Sequence, residues 1–168
     1  MAVQASAQAS ADQRVKNVIN VAMKYVNMNP NNPYLWGGKG EALTTGNISK
    51  LAKIYGNSRY TQVRRGGRWY STVGKGGYKC LDCSGLTHLA FKQGAGVDIG
   101  HGSSVQSTRA SKKSVGIGNA RPGDLLWRKG HVGIMGYNGK MIEAQGSKSG
   151  VTANRGKGSM TRAYRIIS

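Results

Sequence analysis

Apolar side chains recur at Val15, Val18, Ile19, Ala22, Met23 and Val26, a spacing that lines one face of an α-helix. The run predicts an amphipathic helix that ends near residues 27–33, where NMNPNNP places two prolines among asparagines and removes donors a helix needs. Ahead of it, residues 1 to about 10 are small and polar without a period, and read as a flexible lead-in. A short extended piece, Tyr34 to Trp36, leads into Gly37-Gly38. The pattern then fades over residues 41–79, where a short helix is expected around Ile48 to Tyr55 before a segment of Gly, Arg and aromatics. A second helix is expected from about Cys83 to Gln93, with Asp82 able to cap its first turn and Gly94 and Gly96 suited to its end. Short apolar runs follow at Leu125 to Arg128, His131 to Met135 and Lys140 to Gln145, separated by Gly and Asn turns, and these predict an antiparallel sheet. Helices first and consecutive strands afterwards give an α+β domain with helices packed on one face.

The register of the last hairpin follows from which side chains need burial. A two-residue loop at Asn138-Gly139 would pair Ile134 with Glu143 and set His131 on the face opposite Glu143. A three-residue loop, Tyr137-Asn138-Gly139 with Gly139 left-handed, pairs Gly133 with Glu143 and His131 with Gln145, all on one face. The other face then receives Val132, Ile134, Ile142 and Ala144, a uniformly apolar set, so the pattern favours the longer loop.

Composition narrows the function classes. The chain has 168 residues, a length for one domain, and a domain of this size buries roughly 70% of its unfolded surface. Residues 11–168 are therefore read as a single domain carrying a long basic insertion at about 41–79. The longest apolar run, Val132 to Tyr137, is far short of the roughly 18 residues of a membrane span. The opening MAVQASAQASADQ has neither a basic n-region nor an apolar h-region, so no secretory signal is expected, and delivery by another route or excision from a longer protein is. With 25 Lys and Arg against 6 Asp and Glu the formal charge is +19, which draws the chain to a polyanion. Between Arg59 and Lys79 lie Arg64, Arg65, Arg68 and Lys75 with no acidic residue. This predicts a solvated basic loop, the alternative being a polyanion-binding flap with Trp69 and Tyr70 as stacking surfaces.

The two cysteines, Cys80 and Cys83, are too few for a disulfide scaffold. Their lone C-x-x-C lacks the second ligand pair of a zinc finger, so no metal is expected. A Cys80–Cys83 disulfide would block a nucleophile and act as a switch, but an unpaired structural Cys80 is the simpler reading. Cys83 stands where a helix should begin, which favours its thiolate and lowers its pKa toward neutrality. His131, first in a strand after Gly130, is the best-placed base, since His88 falls within the helix and His101 in a Gly/Ser loop. Either Glu143 or Gln145 could fix its tautomer, and a carboxylate would also stabilise imidazolium.

In order along the chain, YLWGG (34–38), DCSGL (82–86), RPGDLLW (121–127) and GHVGIMGYNGKMIEA (130–144) resemble the NlpC-type cell-wall peptidases, a papain-like family. The resemblance covers most of residues 15–145. It implies that Cys83 attacks the carbonyl of a peptidoglycan stem peptide, that His131 serves as base and then acid, and that no cofactor is required. It implies also that Tyr34 lines the site near the oxyanion, that Asp82 and Ser84 help hold the substrate's amino end, and that the protein acts at the bacterial cell wall. Position 143 is Glu where many relatives carry His, which leaves Glu143 or Gln145 as third member. The stretch 41–79 exceeds the short link usual between GG and DCSG, and would cover the cleft and alter substrate choice. The expected function is thus a cysteine hydrolase of stem-peptide amides, such as a phage lysin or a delivered toxin, held on anionic wall polymers such as teichoic acids by its charge. The alternatives are a Cys–His acyltransferase or other amidase, and a nucleic-acid-binding module, which explains the charge but not the Cys83 and His131 arrangement.

Overall fold

The computed structural model describes residues 2–168, with side chains from Ser10 onward. Helix α1 spans Ala2–Asn27 and stops where the Asn/Pro segment begins. Its helical backbone takes in most of the stretch expected as a lead-in, and the side chains of residues 1–9 lie outside the described residues. Strand β1 (Lys39–Ala42) and helix α2 (Thr45–Tyr55) follow, then β2 (Lys79–Leu81), α3 (Cys83–Ala95) and α4 (Ser103–Arg109). The chain closes with β3 (Leu125–Arg128), β4 (His131–Met135), β5 (Met141–Ala144), β6 (Val151–Arg155) and β7 (Arg162–Tyr164). Helix α2 starts ahead of its apolar run because Thr44 caps it, accepting from the Asn47 N–H at 3.1 Å.

The main sheet is antiparallel, in the order β6-β5-β4-β3-β7, and β1 pairs with β2 in a separate ribbon. Ile134 pairs with Ile142 and Met135 with Met141, and Gly136 N–H donates to the Lys140 carbonyl at 2.9 Å. The loop is therefore Tyr137-Asn138-Gly139, with Gly139 left-handed at φ 76°, as the apolar pattern required. Val132, Ile134, Ile142 and Ala144 pack against Val18, Ala22, Leu86 and Ala90, so α1 and α3 cover one face of the sheet. The alternate side chains, His131 and Glu143 among them, project to the other face, where Leu126, Met135 and Met141 form a smaller cluster.

The insertion is not a solvated loop. Trp69, only 1% exposed, packs with Leu35, Leu43, Ile48, Tyr60, Val63 and Cys80 into a second core, and its indole N–H donates to the Asn31 carbonyl at 2.7 Å. Trp69 is thus unavailable as a stacking surface, while Tyr70 remains about half exposed. Tyr60 and Trp69 turn inward while Arg59, Arg65 and Arg68 stay exposed, and 3-10 turns over Asn57–Val63 and Tyr70–Thr72 replace the flexible chain expected.

Backbone contact joins this second core to α3. A Cβ on Gly85 would collide with the Gly38 carbonyl oxygen, and one on Gly38 would meet the Cys80 and Leu81 backbone. Neither neighbour can rotate away as a side chain does. Gly85→Ala is accordingly expected to destabilise the protein by about 2–3 kcal/mol in urea denaturation, and an unchanged midpoint would refute this tight packing.

Candidate active site

Cys83 is the first residue of α3, with Asp82 as N-cap: Oδ1 accepts from the Gly85 N–H at 2.7 Å and from Ser84 Oγ at 3.1 Å. The start of α3 meets the start of β4, where the Val132 N–H acts on the Cys83 thiol. The thiol pKa lies above its ordinary value, against the sequence expectation. Burial raises it most and the Asp82 charge raises it further, while the N–H groups of Val132, Ser84 and Cys83 itself pull the other way without cancelling these effects. Helix-terminus stabilisation is present here and is outweighed.

His131 Nε2 lies 2.8 Å from Glu143 Oε1, and both side chains are buried. Arg155 on β6 holds the same carboxylate: its Nε donates to Oε2 at 3.0 Å and its Nη2 to Oε1. Burial alone would raise the Glu143 pKa, but the hydrogen bonds from His131 and Arg155 and the Arg155 charge carry it below its ordinary value. An ionised carboxylate only accepts, so His131 Nε2 carries the proton and Nδ1 keeps the lone pair of the neutral ring. Gln145 does not reach the histidine by any such bond; its Oε1 accepts from Thr152 Oγ1 at 2.8 Å. Of the two candidates for third member, Glu143 is the one joined to His131. Arg155 was invisible in the sequence, because β6 carries no apolar alternation to fix its pairing with β5.

Because its pKa is depressed, Glu143 contributes stability that is fully present above its unfolded value of about 4.5 and lost as pH falls through the lower folded value. The stability gap between wild type and Glu143→Gln should therefore be flat from about pH 7 to 5 and narrow below about pH 4. A gap that persists unchanged to about pH 3 would contradict the ion-pair assignment.

Tyr34 is half-buried and bridges Leu81, just before the nucleophile's helix. Its hydroxyl pKa is pushed up by burial and then by the charges of Cys83 and Asp82. Ser84 is buried, donates to Asp82, and its Oγ accepts from the Gly102 N–H at 3.0 Å. It braces Asp82 and the 100–102 turn. Burial raises the Asp82 pKa despite the hydrogen bonds from Gly85, Ser84 and Gly37. His88 and His101 stack at 3.8 Å between ring centroids, apart from the His131 pair. Cys80 is a free, buried thiol on β2 whose pKa burial pushes up to about 12. Among the described residues no group of three His, Cys, Asp or Glu side chains is arranged to hold a metal.

A cysteine that opens a packed helix whose start meets the strand carrying a His–Glu pair on an antiparallel sheet is the arrangement of the papain-like class. The NlpC/P60 family model matches residues 31–167, and the chain belongs to that family. No curated protein sequence matches it. Among solved structures, the peptidoglycan hydrolase RipB of Mycobacterium tuberculosis is 30% identical, with 95% of this chain and 68% of that one covered and a TM-score of 0.65. The P60 domain of antigen MAP1204 from M. avium subspecies paratuberculosis is 28% identical over 94% of this chain and 98% of its own, with a TM-score of 0.63. RipD of M. tuberculosis, described as a non-catalytic NlpC/p60 domain protein adapted to peptidoglycan binding, shares the fold at 21% identity over 92% of this chain and 98% of its own, with a TM-score of 0.54.

Proposed function

We propose that this protein is a cysteine peptidase that hydrolyses amide bonds in peptidoglycan stem peptides. The observation that carries the reading is the His131–Glu143 hydrogen bond of 2.8 Å, which leaves the His131 Nδ1 lone pair to accept the Cys83 proton. With the thiol pKa raised, Cys83 rests protonated and passes its proton to His131 as sulfur attacks the substrate carbonyl. The resulting imidazolium is stabilised by Glu143, which Arg155 holds ionised and in position. The Cys83 N–H and the Tyr34 hydroxyl stand beside the nucleophile as donors to the developing oxyanion. His131 then protonates the leaving amine, and water releases the thioester with His131 again as base. Asp82, whose charge reaches both Tyr34 and Cys83, accepts the substrate's cationic amino end, braced by Ser84.

The net charge of +19 favours retention on anionic wall polymers, and membership of the NlpC/P60 family supports action at the bacterial cell wall. No helix among the described residues is long and apolar enough to cross a membrane. Purified peptidoglycan incubated with the protein should release soluble stem-peptide fragments, and release should cease with Cys83→Ala. Binding without release would instead support a wall-binding role.

A further inference from the structure

The insertion carries a cation to the Tyr34–Gly38 segment that precedes the nucleophile's helix. Its first 3-10 turn is fastened to the Tyr34–Gly38 segment: the Tyr60 hydroxyl donates to the Trp36 carbonyl at 2.8 Å, and Gln62 Nε2 to the Tyr34 carbonyl at 2.7 Å. The Tyr55 ring lies against Gly37. The same segment is fastened to the nucleophile's helix, because the Gly38 carbonyl accepts from the Asp82 N–H at 3.0 Å. Trp36 is therefore a rigid neighbour of the site, yet 44% exposed. Over its ring, at 4.4 Å from the centroid, sits the Arg59 guanidinium.

Arg59 differs from the other stacked arginine of the insertion. Arg68 covers the buried Trp69 and directs its donors to the Lys148 carbonyl and Asn31 Oδ1. Among the described residues no hydrogen bond or ion pair engages the Arg59 side chain, although its charge is felt at the Tyr34 hydroxyl. A guanidinium held flat on an indole keeps its edge N–H groups free in a fork that fits a carboxylate. The indole beside it offers an apolar surface to the carbon chain bearing that carboxylate. A single cation suits a ligand group of one negative charge.

We propose that Trp36 and Arg59 form a specificity subsite that receives a free carboxylate of the peptide substrate close to the scissile bond. The inference rests on the stem-peptide reading above and adds the chemical feature selected. It is tested by steady-state kinetics on paired synthetic stem peptides, identical except that one carries a free carboxylate and the other the carboxamide. Wild type should favour the carboxylate by about tenfold in kcat/KM, chiefly through KM, with the preference shrinking as salt rises. Arg59→Ala should bring the ratio near one, and Arg59→Lys should restore part of it.

Equal cleavage of both peptides by wild type would overturn the subsite and leave the peptidase reading standing. So would an Arg59→Ala protein that slows both by the same factor. Cleavage of neither peptide by wild type would overturn the stem-peptide reading and the subsite with it.

Discussion

Cys83→Ala is expected to abolish peptidoglycan hydrolysis, with a fall of at least about 10³-fold in kcat/KM, while the protein stays folded and keeps its affinity for the wall. No neighbouring side chain can replace the sulfur: Cys80 is fully buried on β2, and burial holds its thiol protonated. The Asp82 cap and the Gly38–Gly85 backbone contact that position α3 do not involve the thiol, so the change in stability should stay within about 1 kcal/mol. Circular dichroism melting and a sedimentation assay with insoluble peptidoglycan separate these outcomes. A variant that binds and melts normally but still cleaves would exclude Cys83 as the nucleophile.

The second large effect is expected at Glu143. Glu143→Gln keeps the size of the side chain but lets the amide face His131 with either its N–H or its carbonyl, so the Nδ1 lone pair is no longer guaranteed. A loss of about 10²–10⁴-fold in kcat is expected, as for other positioning carboxylates. Leaving Arg155 without its partner should also cost about 2 kcal/mol, below the figure for a fully buried pair because its side chain is 43% exposed and can rehydrate. Arg155→Ala should be milder in rate, about tenfold, and carry a distinct signature. Without the guanidinium, its hydrogen bonds and charge no longer lower the Glu143 pKa, which rises, so the acidic limb of the activity profile should move to higher pH. Arg155→Lys should recover part of that shift. An unmoved limb would reduce Arg155 to a structural role.

The parts of the site legible in the sequence are those fixed by local periodicity. Asp82 before an apolar run announced both the helix and its cap, and the alternation through Val132–Ile134 and Ile142–Ala144 set the hairpin register that brings His131 and Glu143 onto one face. What escaped was decided by contacts distant in sequence. Arg155 lies on a strand whose pairing with β5 shifts register between Met141 and Glu143, so no pattern of alternate residues points it at the carboxylate. The core of the insertion is built from Tyr60, Val63 and Trp69 on 3-10 turns and irregular chain, where neither the helical nor the strand period applies. The raised thiol pKa is hidden from the sequence for a similar reason. A helix N-terminus can be read from sequence, whereas the burial and the Asp82 charge that outweigh it belong to the folded site.

The central claim is that Cys83 and His131 together cut amides within stem peptides, and mass spectrometry of purified peptidoglycan after incubation with the protein tests it most directly. Wild type should generate new amino termini inside stem peptides, at one defined bond, and Cys83→Ala and His131→Ala should generate none. Intact, reduced wild-type protein that binds several wall types yet yields no new termini would contradict the account.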